Sequence, residues 1–230
     1  MKHIIASLLI AFAGSLAVVG QNHSVSLSGK WAFQIDREDK GVREEWFNKT
    51  LNDRINLPGS MPEKLKGDDV TVRTKWTGSL YDSSYYFNPY VEKYRIDGQV
   101  KLPFFLTPDK HYVGVAWYQK KVTVPDSWKG ERIVLFLERP HIETTVWINH
   151  REVSMRNSLC VPHVYDLTSY VTPGKSCLVT IRVDNRIKEI NVGPDSHSIT
   201  DQTQGNWNGI VGKIELQSTP EVFFEDIQVY

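Results

Sequence analysis

Cysteine is scarce in this chain: 230 residues carry two, Cys160 and Cys177. Neither has a Cys or His partner at metal-ligand spacing, and the His residues are scattered, so no metal site is expected. The two thiols flank predicted strands and either pair in an oxidising compartment or remain two buried free cysteines. A charge imbalance is also missing. Lys and Arg number 27, Asp and Glu number 27, and no long run of either sign occurs. That argues against nucleic acid and against an anionic membrane surface, and favours an uncharged polymer or another protein as partner. Beyond the N-terminus no apolar run is long enough to cross a bilayer. There is no Gly-rich phosphate loop, no Gly-x-Ser-x-Gly and no His-Glu-x-x-His. Acids are plentiful, but no pair is placed as glycoside hydrolysis requires. No catalytic residue and no cofactor is therefore assigned.

What is present begins with a targeting pattern. Lys2 and His3 precede an apolar run from Ile4 to Val19, followed by Gly20 and Gln21. The run is short for a membrane span and has no basic flank, so residues 1–20 read as a cleavable signal peptide of an exported protein, periplasmic or secreted. No Cys follows the run, which argues against a lipid anchor there. Asn22-His23-Ser24 and Asn48-Lys49-Thr50 fit a glycosylation pattern too short to discriminate.

From residue 27 the pattern is that of strands. Leu27–Asp36 alternates, with Trp31, Phe33 and Ile35 on one face. Trp46 and Phe47 form an anchor in a charged stretch, and Ile55–Leu57 is a short strand stopped by Pro58-Gly59. Trp117–Val124 alternates; Glu131–Glu138 is continuously apolar, as in a central strand. Thr144–Asn149 follows, with a turn at His150-Arg151 for which Asn149 is suited. His163–Thr168, Cys177–Asn185 (Val179, Ile181 and Val183 inward) and Ile210–Leu216 complete the set. Val222–Tyr230 is either a last strand or the lead into a following domain. Many short strands and no convincing long helix predict an all-β, antiparallel jelly-roll sandwich over residues 21–220.

Residues 59–111 break the pattern. They hold no sustained period, and the span from Trp76 to Tyr118 contains twelve aromatics, including Tyr85-Tyr86-Phe87 and Phe104-Phe105. This is an insertion that either covers an edge or another domain, or builds an aromatic wall of a site.

Ser196–Ile210 is the stretch with chemistry. It is rich in amides and hydroxyls, holds Asp201 and Trp207, and opens into a strand. Carboxylate and amides supply directional hydrogen bonds for sugar hydroxyls, and an indole supplies a flat apolar face. The competing reading is a solvated loop whose Trp207 plugs the sandwich edge. Asp201, Asn206 and Trp207 are the candidate sugar contacts, with Asp184 and Asn185, at the end of a predicted strand, as supports. Glu143 is a further acid near a strand end.

Three stretches then carry a resemblance. They are Ala116–Lys121 with Glu131–Leu135; Thr145-Val146-Trp147-Ile148-Asn149 through Pro162–Thr168; and Val183-Asp184-Asn185 with Trp207–Ile214. In order and spacing the chain resembles the N-terminal sugar-binding domain of glycoside hydrolase family 2, the family of β-galactosidases, β-glucuronidases and β-mannosidases. The resemblance implies a galactose-binding-domain-like jelly roll whose loop before the Gly-Ile strand leans toward a downstream barrel. It implies Asp201 as the sugar-contacting acid, although the matching position falls closer to Thr203. The family's catalytic glutamates lie in the barrel, so this chain alone is expected to lack them, with residues 221–230 leading into a second domain. The implied partners are the terminal glycoside of an oligo- or polysaccharide and the following domains of the same enzyme. A stand-alone carbohydrate-binding module and a docking domain without sugar affinity are the alternatives.

Overall fold

The period-two segments become two antiparallel sheets in the computed structural model, which describes residues 23–71, 74–77, 89–90, 108–188, 196, 200–201, 205–224 and 228–229. The expected signal peptide and the aromatic runs at 85–87 and 104–105 lie outside the described residues. In chain order the strands are β1 (His23–Ser26), β2 (Gly29–Asp36), β3 (Asp53–Leu57), β4 (Gly59–Ser60), β5 (Asp68–Asp69), β6 (Lys110–His111) and β7 (Val115–Thr123). They continue with β8 (Arg132–His141), β9 (Glu143–Ile148), β10 (Arg151–Asn157), β11 (His163–Asp166), β12 (Ser176–Asp184) and β13 (Gly209–Thr219). One sheet runs β1-β13-β8-β11, with β4 also paired to β13. The other runs β10-β9-β12-β7-β2-β3, and β5 and β6 form a separate two-stranded ladder. This is the predicted antiparallel sandwich of the jelly-roll kind.

Alternation decides what the core contains. Trp31 and Phe33 of β2, Tyr118 of β7 and Val179, Ile181 and Val183 of β12 point inward. They meet Ile133, Leu135 and Leu137 of β8 and Ile210, Ile214 and Leu216 of β13. Side chains of the opposite parity need a second cover, because Trp117 and Trp147 are also buried. Trp46, Leu51 and the half-buried Phe47 supply it, packing with Val115, Trp117 and Trp147. The anchor expected of Trp46 and Phe47 is thus a second small core. Asp36 folds the chain back over it: its carboxylate accepts from the backbone N–H groups of Lys40 and Gly41 and from the Trp117 indole. A Cβ at Gly41 would sit 2.5 Å from Trp117 Nε1, so this crossing requires glycine.

Some expectations are corrected. β10 was not anticipated, because Arg151–Asn157 is a polar edge strand with no buried position. The hairpin turn is one residue earlier than expected, at Asn149-His150, with Asn149 in the left-handed region at φ 55°. Val222–Phe224 is not a strand, and all three of its side chains are exposed. Both cysteines are free, but only Cys177 is buried; Cys160 is exposed.

Candidate functional site

The site is built where β13 begins. Asn208 is fully buried and spends every side-chain hydrogen bond on backbone or core. Its carbonyl accepts from the Tyr118 hydroxyl at 2.8 Å, and its amide donates to Gly114 O at 2.9 Å and Val183 O at 3.0 Å. Its own backbone carbonyl receives Met61 N–H. The next residue, Gly209, has φ 144° and meets β4 so closely that a Cβ would lie 2.5 Å from Gly59 O. The Asn-Gly-Ile sequence is therefore a closure of the sandwich end, and it fixes the loop that precedes it.

That loop is held by a polar latch. Asn185, at 0% exposure, accepts from Gly114 N–H and donates to Tyr112 O and to Asn206 Oδ1. Asn206 donates to Asn185 O at 3.0 Å and Thr77 Oγ1 at 3.1 Å. Asp201 accepts from Asn206 N–H, from Thr77 N–H at 2.6 Å and from His111 Nε2 at 3.4 Å. Its side chain is only 2% exposed. Burial works to raise the Asp201 pKa, but the His111 hydrogen bond and the two backbone N–H groups outweigh it and hold the carboxyl below its usual range. The latch joins three regions distant in sequence: the end of β12, the loop before β13, and the Thr77 and His111 flanks of the insertion. The ring of Trp76 packs on His111 at 4.7 Å.

Asp184 belongs to a different cluster. It has no exposed side-chain surface and is paired with Arg182, Arg186 and Lys188, which also reach Asp39 and Glu143. Burial would raise its pKa. Hydrogen bonds from Arg186 and Lys188 reverse that and hold it far below the ordinary carboxylate value.

On the outer side of the latch lies a cavity of about 290 Å³, lined by Arg139, His141, Cys160, Thr200, Asn206 and Trp207 among others. Trp207 and His141 stack, with centroids 4.6 Å apart and ring planes 20° apart. Burial pushes the His141 imidazole down to about 4, against small opposing effects of Asn206 and the Asp201 charge. At neutral pH it is an uncharged hydrogen-bonding ring. Thr200, 1% exposed, has a buried hydroxyl without a hydrogen-bond partner among the described residues. A larger groove of about 780 Å³ opens on the far side, bounded by Trp76, His111, Tyr112 and the Arg37–Asp68 ion pair.

The sequence candidates therefore divide. Asn206 and Trp207 line the cavity. Asp201, Asn185 and Asp184 are buried, with their polar atoms turned to protein groups. Arg139 and His141 were not anticipated, and Thr200 lay in the Ser196–Ile210 stretch without being singled out; the only cue to the first two was the position of Arg139-Pro140-His141 at the end of a strongly apolar strand. Among the described residues that line the cavity no carboxylate is present.

A jelly roll closed by this Asn-Gly-Ile edge, with an amide-rich loop beside an aromatic platform, defines a sugar-binding sandwich. Residues 25–220 match the family described as glycosyl hydrolases family 2, sugar binding domain, and the chain belongs to that family through its N-terminal domain. It is 25% identical over 217 residues to a β-glucuronidase of Paenibacillus borealis, covering 88% of this chain and 30% of that protein. It is 28% identical over 207 residues to a β-galactosidase of Priestia megaterium, covering 89% of this chain and 18% of that one. Among solved structures, the Ruminococcus gnavus β-glucuronidase in complex with uronic isofagomine superposes with TM-score 0.58 at 18% identity. The match covers 87% of this chain and 29% of that one, and shows a shared fold. The chain thus spans about a third or less of the length of these relatives.

Proposed function

We propose that this chain forms one wall of a sugar site, with Trp207 stacking on a pyranose face, His141 and Thr200 meeting its hydroxyls, and Asn206 lining the cavity while its amide holds the latch. Asp201, Asn185 and Asp184 hold that wall in place from behind. The observation that carries this reading is the Trp207–His141 platform beside the unpartnered Thr200 hydroxyl. An indole face and neutral hydrogen-bonding groups in a partly apolar cavity suit a sugar. In a longer protein of this family the wall would serve retaining hydrolysis of a terminal glycoside, with the two carboxyl groups supplied by another domain. Export through a cleaved N-terminal segment belongs to the same proposal.

The test is ligand-observed NMR of the chain with a panel of methyl glycosides. Transfer to the sugar ring that Trp207→Ala abolishes is the expected result; no transfer to any glycoside would overturn the reading. A second reading, a docking domain without sugar affinity, is favoured by Val222 and Phe224, which are 90% and 87% exposed. It predicts concentration-dependent self-association and no glycoside signal.

A further inference from the structure

We infer that Cys160 is a reversible modification site: its thiol exchanges with a small polar disulfide, and the half that stays attached is seated in the small cavity and closes it. Cys160 is exposed and lines that cavity. The turn that carries it is fixed. Ser158 N–H donates to Ile142 O at 3.3 Å, Cys160 N–H donates to Ser158 Oγ at 3.4 Å, and the buried His163 donates through Nε2 to Ser158 O. A second, independent feature points to an occupant. Thr200 lines the same cavity, is 1% exposed, and keeps a buried hydroxyl with no hydrogen-bond partner among the described residues. A buried hydroxyl left unpaired is costly, and a polar atom in the cavity relieves that cost.

The second sulfur has to come from outside the folded chain. Ile142, to which the Cys160 turn is bonded, donates its N–H to Asp184 O at the end of β12. Cys177 stands near the start of that strand, roughly 20 Å away along an extended backbone. A disulfide needs Cα atoms within about 7 Å, so the two cysteines cannot pair in the monomer. The reaction is therefore thiol–disulfide exchange. Cys160 gives its proton to solvent, and its Sγ attacks one sulfur of the reagent. The reagent's S–S bond breaks, a new one forms to Sγ, and the other half leaves and takes up a proton as a thiol. One disulfide replaces another, so no further oxidant is consumed. The proposed export of the chain places it where small disulfides persist. A cavity of about 290 Å³ lies at the lower end of the range for small ligands, and it suits an amino-acid-sized thiol half. The polar atoms of that half reach Thr200, and one such hydrogen bond stabilises the adduct roughly threefold to tenfold. The attached half occupies the space beside Trp207 and His141, so it excludes a glycoside; this consequence rests on the cavity being a sugar site.

The experiment equilibrates the reduced chain with cystine and cysteine, and separately with diethyl disulfide and ethanethiol, whose halves carry no polar atom for Thr200. Adducts are read by intact mass and peptide mapping. Cys177 is the internal control, because it is buried and burial pushes its thiol pKa up. The expected result is a single adduct on Cys160, absent in C160S, removed by a reductant, with Cys177 unmodified. T200V, which keeps the side-chain volume, should lower the exchange constant for cystine roughly threefold to tenfold and leave that for diethyl disulfide unchanged. The cystine adduct should also lose the glycoside NMR signal of the unmodified chain. No adduct, equal labelling of Cys177, or a disulfide-linked dimer as the main product would overturn the inference. Exchange constants that ignore T200V, or that fall together in it, would reduce Cys160 to an ordinary exposed thiol and overturn the seat in the cavity. An adduct that leaves glycoside affinity intact would overturn the closure. A chain that forms the Thr200-dependent adduct but binds no glycoside in either form upholds the modification site and overturns the sugar reading.

Discussion

The imidazole of His141 lies nearly flat against the indole of Trp207, 4.6 Å between centroids. One ring closes β8 and the other sits two residues before β13, and the pairing of His141 with Gly209 across the ladder brings them together. The stack covers one face of the indole and braces the half-buried ring beside the cavity that it lines.

Trp207→Ala should therefore lower glycoside affinity roughly tenfold, with Trp207→Phe intermediate, since an aromatic face is the larger part of such a contact. The fold should survive, because Trp207 is only half-buried. Unchanged affinity, measured by the same NMR titration, would move the sugar contact elsewhere.

Asn208→Ala should be far more damaging to stability than its size suggests. It orphans the Tyr118 hydroxyl and the carbonyls of Gly114 and Val183 inside the sandwich. The expected loss is about 2–4 kcal/mol, read as a lower urea midpoint. A midpoint within experimental error of wild type would mean that water replaces the amide.

Two histidines, the half-buried His141 and the buried His163, should make the fold acid-sensitive. Burial pushes His141 and His163 down to about 4. Between that value and the unfolded pKa near 6.5, the unfolded chain binds protons that the folded chain refuses. Stability is thus fully present above about pH 6.5, declines as pH falls toward 4, and by then has lost up to about 3 kcal/mol per histidine. His163 accepts from Thr144 Oγ1 and donates through Nε2 to Ser158 O, a network satisfied by the neutral ring. His163→Gln should flatten the dependence of the urea midpoint on pH between 7 and 4.5. An unaltered slope would exclude His163 as a contributor.

Asp184→Asn leaves Arg182, Arg186 and Lys188 with no buried counter-charge at that position. Removing one partner of a buried ion cluster costs about 3–5 kcal/mol. Because the folded pKa of Asp184 is depressed, its stabilisation is present above the unfolded carboxylate value and is lost as pH falls below it. The variant and the wild type should converge in stability in strong acid; a constant gap at all pH would assign the loss to packing alone.

Much of this architecture was legible in the residues. The alternation in Leu27–Asp36, Cys177–Asp184 and Ile210–Leu216 fixes which side chains are buried, because the side-chain period of a strand is two and cannot drift. The polar edge strand β10 was invisible, since an exposed edge imposes no hydrophobic pattern. Asn208 shows the same limit differently: its motif could be recognised, but not that its amide bridges Tyr118, Gly114 and Val183.

Sequence by itself determined the sandwich, its inward faces and the amide-rich loop as the place to look, since periodicity and composition are local properties. Tertiary structure alone decided what each polar residue does there. Asp201 meets Thr77 and His111 across 124 and 90 residues of chain, and that contact turns its carboxylate inward. Arg139 and His141 come to the cavity only because β8 pairs with β13. Hydrogen-bond partners and shared cavities depend on distances between remote segments, and no local pattern encodes them.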